Sequence, residues 1–262
     1  MIARTSIRVI SWIVLAYLVL PLVVILGSSV TASQFLTFPP RGITLHWYQV
    51  MLSDPSYVAA FSTSTLLALA ATAAALVLTV PAALAFARYP FPGKRALTAA
   101  LMAPLVLPHI VLGAALLQFG GYFGLTRSFA SLLIGHTVIV SPFVLRSVMS
   151  MMTPEQRALE EASYDLGANP WTTFFLVVLP RIRSGIVTGS IFAFISSWIN
   201  VELSIFNTTA DLNTIPVKLF NYVQYTIDPT IAAVSGATIV VAIVVITILD
   251  LTIGLDMLSD RT

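Results

Sequence analysis

The side chains in this sequence that could do chemistry are few, and the most informative of them interrupt stretches that are otherwise apolar. Glu202 is the one acidic residue inside six charge-poor windows, and Trp198 and Asn200 stand just before it. An ionisable group at the centre of a membrane helix costs about 2.5 to 3.5 kcal/mol on insertion scales, so its presence marks a solute pathway or a buried partner. A carboxylate in such a place can hold a positively charged group on a passing solute. Asn200 adds a neutral amide, Trp198 an aromatic face, and His109, at a Pro108 kink in the third window, a second polar group. The alternative for Glu202 is a carboxylate that snorkels to the outer interface with no specific role.

Other chemistries lack their residues. The chain contains no cysteine, which removes disulfides, thiolate nucleophiles and cysteine metal sites. His46 lies in a loop without partners at ligand spacing, and His136 reads as a hydrogen-bonded helix-packing residue, so no metal site is expected. An intramembrane hydrolase using serine with His109 or His136 would need a nucleophile motif of the G-x-S-x-G kind, which is missing. There is also no G-x-x-x-x-G-K-S/T loop to cradle nucleotide phosphates.

A second constellation lies between Arg146 and Ser184. Thr153, Pro154 and Gln156 supply an N-cap hydroxyl, a proline at the first helical position and an amide at the third, which completes a capping box. Ala158, Leu159, Ala162 and Leu166 then recur at helical spacing as a modest apolar stripe, with Arg157, Glu160, Glu161 and Asp165 around it. Gly167 ends that helix as a left-handed C-cap residue. Asn169 and Pro170 repeat the start signal, opening a second helix from Trp171 to Leu179 that Pro180 is expected to close. The segment 153–180 is thus a helix–turn–helix in water, held against a membrane.

The elements that position these residues follow from composition. With 58% hydrophobic and 9% charged residues, the chain is far from the roughly 25% charge of an average soluble domain. Six windows are long enough to span hydrocarbon, which takes about 20 apolar residues. They run from Ile10 to Val30, Ala59 to Ala87, Ala96 to Gly120, Ser128 to Leu145, Gly185 to Phe206 and Pro229 to Leu249. Kinks are expected at Pro21, Pro81, Pro104, Pro108 and Pro142. The fold class is therefore all-α, a polytopic membrane protein with six transmembrane helices forming a single domain over residues 1–262.

Orientation comes from the distribution of basic residues. Arg4, Arg8, Arg88, Lys94, Arg95, Arg146, Arg157, Arg181, Arg183 and Arg261 fall on one side, against Arg41, Arg127 and Lys218 on the other. Both termini and the 153–180 loop are then cytoplasmic, and the first window is a retained span rather than a cleaved signal. The net charge of +2 belongs to this topology and not to nucleic-acid binding. Gly185 and Gly189 form G-x-x-x-G at the start of the fifth window, which reads as close helix packing within the chain more than as a dimer contact.

Glu161, Ala162 and Ser163, then Gly167, then Val177, Val178, Leu179 and Pro180 resemble the E-A-A, three residues, G, nine residues, I-x-L-P signature of binding-protein-dependent ABC importer permeases. Ser163 and Val177 depart conservatively from the Ala and Ile usual there. Phe38-Pro39-Pro40 through Trp47-Tyr48, and His136 to Arg146, are similar to the polyamine, iron and phosphonate-type branch of that family. The resemblance implies a bacterial inner-membrane permease subunit that is not itself an enzyme. Its implied partners are a dimer of ABC ATPases, a second homologous permease, different or identical, a periplasmic or lipid-anchored binding protein, and membrane lipid. No cofactor is bound by this chain on that reading; ATP and Mg belong to the partner ATPase. Coupling to it would run through Glu160, Glu161, Ala162, Ser163, Asp165, Leu166, Gly167, Asn169 and Pro170, with Glu161 touching the ATPase and Gly167 making the turn. Polyamine permeases carry acidic residues near the positions of His109 and Asn200. Neither is acidic here, which points to a polyamine-like or zwitterionic amino compound with fewer positive charges. The rival reading is a self-sufficient secondary transporter, which would normally show inverted repeats with broken helices and would need no cytoplasmic docking motif; no such repeat is found.

Overall fold

In hydrocarbon every backbone N–H and C=O must find its partner inside its own segment, so a chain this apolar folds as helices. A computed structural model of the protein describes residues 2–253. Met1 and the N-terminus, and the C-terminus with Arg261, which the sequence counts on the basic side, lie outside the described residues. Within them the elements are helical throughout, and the β-structure is an isolated bridge between Thr31 and Ile43. The helices are α1 (Ile2–Ser29), α2 (His46–Ser53), α3 (Pro55–Arg88), α4 (Lys94–Met102), α5 (His109–Phe123), α6 (Phe129–Met149), α7 (Pro154–Asp165), α8 (Pro170–Thr173), α9 (Leu179–Trp198), α10 (Ile215–Val223) and α11 (Thr230–Ile253).

Four helical stretches are long and apolar enough to cross a membrane: Ser6–Ser29, Pro55–Arg88, Phe129–Met149 and Pro170–Trp198. The third window of the sequence is not one kinked helix. Lys94–Leu105 and His109–Phe123 meet at 107°, and taken as one broken span they make a fifth. The break has a local cause at Pro108, which has no N–H to continue the first helix and stands with non-helical ψ as the N-cap of α5, whereas Pro104 is accommodated in a tight helical turn. Thr230–Val245 is a shorter apolar stretch within α11.

The described residues fall into two compact units, 2–58 with 218–243 and 59–217 with 244–253, with boundaries inside α3, α10 and α11. In the first, the apolar side chains of α1, among them Ile10, Trp12, Leu15 and Leu18, are uncovered by the chain, as suits a helix that faces lipid or a partner. Its loop is pinned to the end of α1 by Trp47, whose Nε1 donates to Thr31 O at 3.0 Å, and by Tyr48, whose hydroxyl donates to Ser29 Oγ at 2.9 Å. Lys218 sits 4.1 Å over the Tyr57 ring, 3.9 Å from Asp54 and in hydrogen bond with Ser56.

The second unit is built on α6 packed along α9. Its core joins Ala83, Leu84 and Phe86 of α3 to Val144, Leu145 and Val148 of α6 and to Val178, Ile182 and Ala193. A Cβ on Gly185 would lie 2.6 Å from Ser147 O, and one on Gly189 3.0 Å from Val144 Cα. The G-x-x-x-G pair therefore serves the close approach of α6 and α9 within this chain, as its spacing suggested.

Candidate functional site

The segment 153–180 folds largely as its caps dictate. Thr153 Oγ1 accepts from Gln156 N at 3.4 Å at the start of α7, and Asn169 Oδ1 accepts from Thr172 N at 2.9 Å at the start of α8. Gly167, at φ 85°, closes α7 with Gly167 N donating to Tyr164 O at 2.8 Å and Ala168 N to Ser163 O at 3.0 Å, the two bonds of a Schellman turn. The turn leaves open space around Gly167. The Glu155 carboxyl, fully exposed, is held below its ordinary range by the Thr153 hydroxyl and its own backbone N–H.

Two expectations for this segment are corrected. Gln156 does not reach back to complete the capping box; it is buried, and its Nε2 donates to Glu160 Oε1 at 3.4 Å. The apolar stripe is uncovered among the described residues. Leu159 and Leu166 are 40% and 89% exposed and Ala158 and Ala162 are also exposed, while the covered face carries Gln156 and Glu160. Pro180 closes nothing, because α8 passes through a π-helical stretch, Phe174–Val178, directly into α9 as one rod of 29 residues. Leu179 N donates to Phe174 O, five residues back, and this wider turn lets the chain pass a residue that has no N–H of its own.

Glu160 and Glu161, adjacent in sequence, occupy different surroundings. Glu160 is buried, with its Oε2 2.7 Å from Arg88 Nη2 at the end of α3. Glu161 is exposed and pairs at 3.1 Å with Arg157, itself exposed. Ser163 Oγ meets Thr173 Oγ1 at 2.8 Å, joining α7 to α8, and Asp165 lies exposed at the end of α7.

At the other end of α9, the helix stops at Trp198 rather than continuing to Phe206. Asn200 explains the stop: its Oδ1 accepts from Leu203 N at 2.9 Å, fixing a turn in place of further helix. Glu202 therefore stands in a turn beyond a span and not within one. This turn brings three of the sequence candidates together. His109 Nδ1 is 3.2 Å from Asn200 Nδ2 and 3.9 Å from Glu202 Oε2. The Glu202 side chain is 62% exposed, whereas Asn200 is buried. Trp198 is separate from the cluster; it is buried against α3, its Nε1 donating to Thr65 Oγ1 at 3.2 Å and its ring 5.9 Å from Phe61. A carboxylate open to solvent, backed by an imidazole and an amide held from behind, can accept hydrogen bonds from a cationic ligand without itself being desolvated.

His136 braces that turn. It is buried, with Nδ1 2.7 Å from Ser197 Oγ and Nε2 2.9 Å from Ser204 Oγ. Both ring nitrogens are engaged by hydroxyls, so neither is left for the carboxylate that a hydrolytic triad needs. Asn207 Nδ2 donates to Gly113 O at 3.0 Å, and a Cβ on Gly113 would lie 2.8 Å from Glu202 O. Only a glycine lets the turn lie this close to α5. Sequence reasoning missed Arg88 and the two serines, whose partners are distant in the chain.

Residues 79–256 match the family of binding-protein-dependent transport system inner membrane components. The chain belongs to this family. It is similar to the spermidine/putrescine transport system permease protein PotC of Escherichia coli, 27% identical over 231 residues, or 88% of this chain and 87% of that protein. The putrescine transport system permease protein PotI of Escherichia coli is 28% identical, covering 84% and 80%. The molybdenum transport system permease protein ModB of Escherichia coli is 30% identical, covering 67% and 83%. Among solved structures, a bacterial ABC transporter involved in the import of the acidic polysaccharide alginate shares the fold, with a TM-score of 0.70, 16% identity and 95% of each chain covered. As a permease of an ABC importer, this inner-membrane component is neither a self-sufficient secondary transporter nor a hydrolase. Its family works with an ATPase, a binding protein and a further permease.

Proposed function

We propose that this permease passes a small amino compound, polyamine-like or zwitterionic, that a binding protein delivers, and that Glu202, His109 and Asn200 line its path with Trp198 fixing the turn from behind. The observation that carries the reading is the exposed Glu202 carboxylate set against His109 and Asn200. The printed substrates of two similar permeases, spermidine and putrescine, support an amine. A single free carboxylate suits a solute with one positive group to hold at a time. On this reading the chain has six spans, with the bent pair as the third and α11 as the sixth, and the distribution of basic residues supports α7 and both termini being cytoplasmic in a bacterial inner membrane.

On this reading α7 docks on an ABC ATPase dimer, which binds ATP and Mg, while the chain itself binds no cofactor. Ala158, Leu159, Ala162 and Leu166 supply the apolar contact, Glu161 the charge, and Asp165, Gly167, Asn169 and Pro170 set the turn. A second homologous permease, different or identical, completes the pathway. The test is uptake of radiolabelled putrescine by proteoliposomes holding the complete transporter and its binding protein. Glu202→Gln keeps the shape and removes the charge; uptake should fall about tenfold or more while stimulated ATP hydrolysis falls less. Uptake at the wild-type rate across concentrations would make Glu202 an interfacial bystander.

A further inference from the structure

The adjacent carboxylates of α7 point to different tasks. Glu161 faces outward, paired with the exposed Arg157, whereas Glu160 is turned into the protein onto Arg88, the last residue of α3. We propose that the Arg88–Glu160 pair is a strut through which displacement of α7 reaches α3, in parallel with the path through α8 into α9. The proposal rests on the reading of α7 as the ATPase-docking helix.

An ion pair at 2.7 Å links α7 to α3, and Gln156 adds a bond to the same carboxylate. Separating the pair would leave the buried Glu160 carboxylate uncompensated, so the two ends move together. The pair borders a cavity of about 300 Å³ lined also by Met152, Thr153 and Pro154, so it is not wedged in place by apolar packing. Beyond Arg88 the path is rigid, since Ala83, Leu84 and Phe86 belong to the core with Leu145, Val148 and Ile182.

The second arm starts at the Ser163–Thr173 contact and continues through the π-helical stretch into α9. The two arms meet again where Trp198 bonds Thr65 of α3. From Thr65 to Arg88 an α-helix rises about 35 Å, so α3 and α9 form two rods joined near both ends. The turn carrying Asn200 and Glu202 is fixed to the far end of that frame. Loss of the strut would leave α3 driven only through its packing on α6 and α9.

Two spin labels separate the possibilities, and the native chain has no cysteine to remove. One replaces Glu155 on α7, outside the docking stripe, and the other Leu66 on α3, both exposed. The complete complex with its ATPase is compared in the resting state and trapped with ATP and vanadate. Both labels should respond in the otherwise native chain. The Arg88→Met/Glu160→Leu double variant removes both charges, an exchange that buried pairs generally tolerate. There the label at 155 should still respond, while the response at 66 should fall at least about fivefold, the low end of allosteric coupling. Glu160→Gln, close in shape, should give the same result in a second background. An undiminished response at 66 in both variants overturns the strut and leaves docking intact. No response at 155 in the native chain overturns the docking reading, and the strut with it.

Discussion

Replacing Gly185 by alanine tests the packing of α6 on α9 directly. The added Cβ would lie 2.6 Å from Ser147 O, 2.8 Å from Met151 Cγ and 3.2 Å from Ser147 C. Met151 can swing away, but the Ser147 carbonyl belongs to the backbone of α6, and relief requires the helices to part by several tenths of an ångström over an interface packed at interior density. Overpacking of this kind costs about 1 to 3 kcal/mol. Alanine recovers about 0.8 to 1 kcal/mol of helix propensity, so the net loss is up to about 2 kcal/mol. Gly121 in α5 is the control: a Cβ there meets nothing within 4 Å, and Gly121→Ala should stabilise by up to about 1 kcal/mol. Thermal unfolding in detergent, followed by tryptophan fluorescence, should therefore move the two midpoints in opposite directions. If Gly185→Ala unfolds at or above the midpoint of Gly121→Ala, the close approach of α6 and α9 is not what this glycine provides.

Three further outcomes follow from other parts of the chain. Glu161→Lys should leave membrane insertion intact yet abolish co-purification of the ATPase, because it reverses an exposed charge without touching the buried Glu160; retention of the ATPase would reduce the motif to a connecting loop. Asp54 caps α3 by accepting from Ser56 N at 2.9 Å, and the Ser56 hydroxyl and N–H, with Lys218, hold its carboxyl below the ordinary range. Its capping contribution is then complete above the usual carboxylate pKa and is lost as pH falls through the depressed value, so Asp54→Ala should cost about 0.5 to 1 kcal/mol at neutral pH and little in acid; an equal cost in both would refute the assignment. Single cysteines at 41 and 218 should react with an impermeant reagent in sealed cells, and one at 167 should not; the reverse pattern would overturn the orientation.

What could be read from sequence was what neighbouring residues settle among themselves. Thr153 and Asn169 each bond the N–H three positions on, and Gly167 adopts its positive φ, because caps and turns are decided within a few residues. Gly185 and Gly189 were legible for a similar reason, since small residues four apart leave few alternatives to close packing. The face of α7 that turns inward was not legible, because Glu160 is drawn in by Arg88, far off in the chain, and Gln156 follows by bonding it. The end of the fifth span is not legible because Ile199 to Phe206 is apolar enough to continue a helix, and only the bond that Leu203 N donates to the Asn200 amide oxygen shows that it does not. His109, Asn200 and Glu202 could be proposed singly from their polarity, yet their juxtaposition depends on how the turn after α9 lies against α5.

The π-helical stretch between α8 and α9 has a consequence for angular phase. Each residue of an α-helix advances the side-chain direction by about 100°, and a wider turn holds one residue more than the regular ladder would. Removing one residue within Phe174–Val178 would let regular hydrogen bonding resume but would rotate everything before it by about that angle relative to α9. The azimuth at which α7 is presented is therefore encoded in a residue count inside a continuous rod. A one-residue deletion there could leave both helices folded and the membrane portion undisturbed while aiming Glu161 and Leu166 about a quarter-turn away.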